Sequence, residues 1–452
     1  MNEKIIKIGS GSACPGERLE PAIDLVKYAD INYIIFDSLS ESEMLKFEKN
    51  KLENQSHGYD TYMEERLNKI WPLCYQRNIK IIGNMGAANT KYAQNIAYKI
   101  GKKLKLKGSK IATVHGDNVL NLVKKLDLKT TESNLPITAF GDNLIAAHAY
   151  IPADTLVAAL HQGADLLITG RVGDATLYLA PLRYEFGWIE NEWDLLARGI
   201  IVGHLFECAG QLSGGYFADP PYKNVPNLDN LGFPIAEVAK DGSTIITKLP
   251  NSGGIVNPAT CAEQMLYEVG DPANYIHADV VTDFTDIGFK ELKRNRVSII
   301  GNIKGKEKPK YLKVNLGVKE GYMAEGLIFY AGQGAYDRAK LAADVIKKRL
   351  YKYTRIKKKS LRIDYIGIDS IHSNNYEVYN YSPREIGLRI AGRTETKEDA
   401  WRIMHEFETI DNNGPAGIAR GLRKEDIKEI IGYYSTLIPR EYVSTSFELL
   451  EV

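Results

Sequence analysis

One feature constrains the fold more than any other. Over the first 170 residues, short apolar runs alternate with amphipathic helical segments, and each run closes on glycine or a polar residue. Run 5–8 passes into Gly9-Ser10-Gly11-Ser12, and run 33–36 ends at Asp37. Run 80–82 ends at Gly83-Asn84, run 111–114 at His115-Gly116-Asp117, and run 166–169 at Gly170-Arg171. Between them, Leu19, Ile23 and Val26 fall at i, i+4 and i+7 on one helical face, with Pro21 starting that helix. Further helices are expected at 61–77 and 90–104. Such alternation predicts an α/β fold, a mostly parallel sheet with covering helices.

After residue 220 the pattern changes. Pro220, Pro221, Pro226 and Pro234 interrupt the chain and suggest a domain boundary. Alternating runs at 311–318 and 323–330 read as two antiparallel strands around Gly321. A helix at 335–351, strands at 361–368 and 386–391, a helix at 397–410 and a loose tail from Phe447 follow. The expected organisation is an α/β domain over 1–225 and an α+β domain over 226–452 with antiparallel strands and two long helices. The chain of 452 residues is long enough for two or three domains.

Composition excludes several classes. Lys and Arg total 58 and Asp and Glu 57, a net charge of +1 that argues against a dedicated nucleic-acid binder. Cys14, Cys74, Cys208 and Cys261 form no C-x-x-C pair, so a zinc ribbon is not expected and the thiols fit a reducing compartment. No apolar stretch approaches the roughly 18 residues of a membrane-spanning helix. The start of the chain has no apolar segment of the signal-peptide kind. A cytoplasmic location without membrane or nucleic-acid partners is therefore expected.

Ligands of open α/β sheets bind beyond the carboxyl ends of the strands. The residues there are Gly9, Ser10, Gly11, Ser12, Asp37, Asn84, Asp117, Arg171 and Asp174. Gly9 to Gly16 is a stretched glycine pattern that suits a nucleotide, another anion or a plain turn. Arg171 offers a planar fork for carboxylate or phosphate. Asp37 and Asp117 suit proton transfer or a divalent metal. Asp174 is also a natural N-cap. A weak internal echo relates Pro21-Ala22 and the run ending at Asp37 to Pro152-Ala153 and the run ending at Arg171, which would place Asp37 and Arg171 at equivalent strand ends. His204, Glu207 and Cys208 fall at i, i+3 and i+4 on one helical face. They suit a metal, a substrate-facing patch or a buried network. Asn251-Ser252-Gly253-Gly254 precedes a helix and reads as an anion loop or a turn.

These stretches carry a resemblance. Ile8-Gly-Ser-Gly-Ser, Glu17-Arg18-Leu-Glu-Pro21, the run from Tyr33 to Glu41, Gly163-Ala-Asp-Leu-Leu-Ile-Thr-Gly-Arg171-Val-Gly-Asp174, Gly203-His-Leu-Phe-Glu207-Cys and Gly253-Gly-Ile-Val-Asn257 are similar to the acyclic terpene utilisation (AtuA) family. The family name points to the breakdown of branched acyl-CoA esters. Where relatives carry Gly-Asp-Asp-Val, this chain reads Gly116-Asp-Asn-Val119, one carboxylate fewer, which weighs against a metal there. Longer relatives append a small ferredoxin-like domain that this chain lacks, which implies a separate companion protein.

Together these readings predict a lyase or hydratase acting on a small carboxylic acid or its CoA ester. Asp37, Asp117, His204 and Glu207 would move protons. The Gly9–Ser12 loop, Arg18, Asn84, Arg171, Asp174 and residues 251–254 would bind ligand. The alternative is a non-catalytic nucleotide- or CoA-binding subunit. A CoA ester or a divalent metal is compatible with the site, and the partner is a second copy of the chain or a small companion protein.

Overall fold

The computed structural model describes residues 4–354, 356–371 and 383–452. The chain forms two compact units. The first holds residues 1–141, 146–316 and 433–452; the second holds 142–145 and 317–432.

The first unit is built on a ten-stranded sheet. Its centre is β1 (Ile5–Ser12), β2 (Tyr33–Phe36), β3 (Lys80–Gly83), β4 (Lys110–His115) and, after β5 (Leu144–Ala149), β6 (Leu166–Ile168). The five central strands lie in the order β1-β2-β3-β6-β4, all parallel. Every residue of Tyr33–Phe36 and Leu166–Ile168 is buried, as strands covered on both faces require. Helices Glu20–Tyr28, Tyr62–Arg77 and Thr90–Lys103 pack on one face, with Leu25, Met63, Trp71 and Ala97 in the core.

The sheet is mixed overall. On the β1 side it continues antiparallel through β7 (Pro234–Ala239) and β8 (Thr244–Lys248). A small three-stranded sheet uses β9 (Tyr275–Ile276), β10 (Val281–Asp283) and β13 (Lys304–Lys306). The hairpin of β11 (Gly288–Lys293) and β12 (Arg296–Ile300) closes that edge of the large sheet. Thus the parallel expectation holds for the centre and fails at the flanks. The units also do not divide at residue 225: β7 pairs with β1, so the proline-rich segment is a connection inside one unit.

The second unit is an α+β layer. Its strands, in the order β15-β16-β14-β17, are β14 (Tyr311–Ala331), β15 (Leu361–Ile366), β16 (Glu385–Thr394) and β17 (Ile418–Pro439). Helices Ala335–Tyr353 and Lys397–Asn413 cover it through Ala339, Ile346, Ile403 and Phe407. Two expectations are corrected. Residues 311–331 form one strand running through Gly321 rather than a hairpin. The tail is not loose: β18 (Ser446–Glu451) pairs antiparallel with β4, completing the opposite edge of the first unit's sheet. Its alternating apolar residues are too few to mark a strand without the partner that supplies its hydrogen bonds.

Candidate functional site

The polar ends of the central strands form one hydrogen-bonded network in the first unit. Ser12 Oγ donates to the Asp37 carbonyl (2.7 Å), and Asn84 Nδ2 donates to Asp37 Oδ1 (2.6 Å). The main-chain N–H of Leu39 also reaches Asp37 Oδ1 (3.2 Å), while the Leu39 carbonyl accepts from Arg171 Nη1 (2.7 Å). Asp117 Oδ2 accepts from the main-chain N–H of Arg171 (3.0 Å). Arg171 Nη2 pairs with Asp174, and its guanidinium lies 4.6 Å from the centre of the Tyr150 ring. The structure therefore joins Ser12, Asp37, Asn84, Asp117, Arg171 and Asp174. Asp37 and Arg171 follow β2 and β6, two parallel strands of the same sheet.

Most of this network is sealed. Arg171 is fully buried, and its donors serve Leu39, Val172 and Asp174, so it orders the site instead of offering a free fork. Burial, reinforced by the charge of Asp174, holds the Asp37 carboxyl well above the usual range. Asp174 does not cap the helix Thr176–Phe186; its carboxylate is taken by Arg171. Gly9 and Gly11 belong to β1 rather than to a loop, and a Cβ on Gly11 would sit 2.7 Å from the Phe36 ring. Ser10 accepts from Tyr178 (3.1 Å) and donates to the Phe206 carbonyl (2.9 Å). These residues are tied into strand packing, so the anion loop expected at Gly9–Ser12 is replaced by a tight strand end.

Beside the network opens a cavity of about 360 Å³. Asp174, Glu207, His277, Tyr150, Glu41 and Lys313 line it. Glu41 Oε1 accepts from Tyr150 (2.7 Å) and from Lys313 Nζ (2.9 Å). Burial works against the Glu41 charge, but Lys313 outweighs it and brings the pKa down to about 2. Glu207 Oε1 lies 3.1 Å from His204 Nδ1, at the end of helix Trp193–Phe206, so the i, i+3 spacing does form a pair. His204 Nε2 reaches the Met265 carbonyl (3.2 Å), and the Tyr275 hydroxyl approaches Nδ1 (3.3 Å). Burial raises the Glu207 pKa despite His204. Burial opposes the His204 cation, but the bond to Glu207 raises its pKa too, so the pair holds a proton tightly.

Two polar atoms here stand out. Among the described residues, Glu207 Oε2 and His277 Nε2 are buried without a hydrogen-bond partner. His277 comes close because residue 173 is glycine: a Cβ there would lie 2.4 Å from Nε2. Buried polar atoms are normally paired, so two unpaired ones at one cavity call for a partner from outside the chain.

A buried ionic triad behind the site leaves no local signal in the sequence. His148 Nδ1 lies 3.0 Å from Asp117 and Nε2 3.0 Å from Glu48. Burial disfavours the imidazolium, but the two carboxylates push its pKa up to about 9. His148 sits alone in the apolar β5 and Glu48 faces inward from helix Glu41–Glu53, so nothing local signals the pairing. His277, Tyr275 and Lys313 were missed for the same reason, since they arrive from distant segments.

Other candidates lie elsewhere. Arg18 Nη1 donates to the carbonyls of Leu228 and Asp229. Asn251, Ser252, Gly253 and Gly254 line a different cavity. The main-chain N–H groups of Gly253 and Gly254 are spent on the carbonyls of Asn230 and Pro226, so this loop is a turn rather than an anion cradle. Among the described residues, no group of three or more His, Cys, Asp or Glu side chains is placed to hold a metal ion. None of their helices is long and apolar enough to cross a membrane.

A family model described as acyclic terpene utilisation family protein AtuA matches residues 6–449. No curated protein and no solved structure matches the chain.

Proposed function

From the chain's membership of the acyclic terpene utilisation family AtuA, which a match over nearly its whole length establishes, we propose that it is a lyase- or hydratase-type enzyme. Its substrate is a small carboxylic acid or the acyl-CoA ester of one. The observation that carries this reading is the buried, unpartnered Glu207 Oε2 at the strand-end cavity.

Hydration of a conjugated acyl group adds hydroxyl at one carbon and a proton at the carbon beside the carbonyl. Dehydration reverses both events. Either direction needs a group that can give or take a proton while shielded from water. Glu207 meets that need, because burial raises its carboxyl pKa and His204 fixes Oε1, leaving Oε2 to face the substrate. His277 Nε2 is a second unpartnered polar atom at the cavity. Asp37 and Asp117 support the site from behind and do not line the cavity.

Charge pairing favours the ester over the free acid. Glu41 is matched by Lys313 and Asp174 by Arg171. A neutral thioester fits such a balanced cavity better than an additional carboxylate, which would need a cation of its own.

The test is turnover of short-chain enoyl- and 3-hydroxyacyl-CoA esters, read from absorbance of the conjugated bond. Wild type should be active, and Glu207→Gln should lose about 10²- to 10⁴-fold in kcat, the usual worth of a positioned acid or base. Equal rates for the two proteins would defeat the reading.

A further inference from the structure

A second cavity of the first unit, about 700 Å³, lies away from the strand-end site and shares no lining residue with it. Its floor is the antiparallel flank of the sheet. Lys7 and Glu237 sit opposite one another on β1 and β7, and Thr247 of β8 is flanked by Ile235 and Arg296. One wall is the turn after β8, ending in Gly254. The other is the tip of the β11–β12 hairpin.

The charges lining this cleft do not balance. Lys7 pairs with Asp30 (2.8 Å), and Arg296 pairs with Glu237. That consumes both lining carboxylates. Lys248, Lys293 and Arg294 remain, and among the described residues none of them has a carboxylate partner. Lys248 is the telling member. Its side chain is buried, and its ammonium is held only by neutral acceptors: the Ser252 carbonyl (2.7 Å), Ser252 Oγ (2.9 Å) and the Leu249 carbonyl (3.3 Å). A buried ammonium without a counter-ion is costly, and proteins normally pair such a charge. Burial, and then the charge of Arg294, bring its pKa down to about 8.

The hairpin tip is also fixed in place. Asn295, in a left-handed conformation, accepts from the Val256 N–H through Oδ1 (3.0 Å) and from Thr247 Oγ1 through its carbonyl (2.9 Å). Lys293 and Arg294 are therefore held at the cleft by a tied turn. Three unmatched cations around a cavity large enough for a nucleotide-sized molecule describe a site awaiting a polyanion.

We propose that this cleft binds a small phosphorylated ligand, with its phosphates among Lys248, Lys293 and Arg294. The site stands on its own geometry and does not depend on the reaction assigned to the strand-end cavity. The phosphates have two sources, a nucleotide or coenzyme A, and the probes separate them.

The experiment measures the unfolding midpoint and the apparent Kd of the full chain with inorganic pyrophosphate, ADP and coenzyme A, against sulfate at equal ionic strength. A saturable midpoint rise with phosphate probes, absent with sulfate, is expected. A rise with ADP and coenzyme A alike indicates recognition of the shared diphosphate, and a stronger rise with one names the source. Arg294→Ser and Lys293→Ser change exposed residues, so they leave the fold intact. Each should weaken the apparent Kd about tenfold or more, the worth of a charge-assisted hydrogen bond. Lys248→Met should abolish the rise. No rise beyond that with sulfate, or a rise that Arg294→Ser leaves unchanged, overturns the proposal.

Discussion

At the scale of single residues, the site is an arrangement of carboxyl groups kept apart by environment. Glu41 is held ionised by Lys313, whereas Glu207 and Asp37 are pushed toward the protonated form by burial. His148 shows the reverse case for a base. It binds its proton more tightly in the folded chain than in the unfolded one. Its contribution is therefore complete below pH 6.5, its ordinary value, and is lost as pH rises through about 9. The interval corresponds to about 3 kcal/mol. Denaturant midpoints across pH 6 to 10 should fall over that window, and Glu48→Gln should move the fall to lower pH. A flat wild-type profile would show that the triad carries no such charge. The sequence exposed one end of these pairings and hid the other. Asp37, Asn84, Arg171 and Asp174 were legible because each follows an apolar run. His148, Glu48 and His277 were not: the first two pair across segments far apart in the sequence, and His277 reaches the cavity from a segment distant from Asp174 and Glu207, so no spacing rule joins them.

At the scale of elements, the central strands were legible for a simple reason. A strand covered on both faces reads as a short continuous apolar run, and Tyr33–Phe36 and Leu166–Ile168 do so. Helix Glu20–Tyr28 was legible from its apolar face and from Pro21 at its start. The antiparallel flanks were not, because β7, β8 and β12 borrow their register from neighbours far along the chain. The long strand Tyr311–Ala331 was divided at Gly321 because glycine inside a strand reads as a turn until the backbone is seen to continue. Gly173 tests how an element boundary shapes the site. A Cβ there must displace His277. Gly173→Ala should cost about 1–3 kcal/mol of stability, the usual price of overpacking. It should also reduce turnover beyond that loss, measured at a temperature where the variant is fully folded. Normal activity in a folded Gly173→Ala protein would remove His277 from the site.

At the scale of the whole molecule, the proline-rich connection 220–235 lies within the first unit, and exposed tyrosines stand just before it and near its start. Tyr216 is 83% exposed and Tyr222 84% exposed. Exposed tyrosines of this kind are enriched at protein interfaces. We propose that this patch meets a second copy of the chain or a small companion protein. Light scattering should report a mass above that of one chain of 50.6 kDa, falling to one chain in Tyr216→Ser/Tyr222→Ser. If the purified chain is monomeric, co-purification with a small partner should depend on the same two residues. A monomer that retains no partner and is indifferent to the double substitution would contradict the interface.

The central claim is that Glu207 moves a proton at the carbon beside an acyl carbonyl. Hydrogen–deuterium exchange at that carbon tests it most directly. Incubating short-chain 3-hydroxyacyl-CoA esters in deuterated water with the wild-type chain should place deuterium at that carbon, followed by NMR or mass spectrometry. Glu207→Gln, folded to the same midpoint, should slow incorporation at least about 100-fold. No incorporation by the wild type, or incorporation at the same rate in Glu207→Gln, would contradict the account.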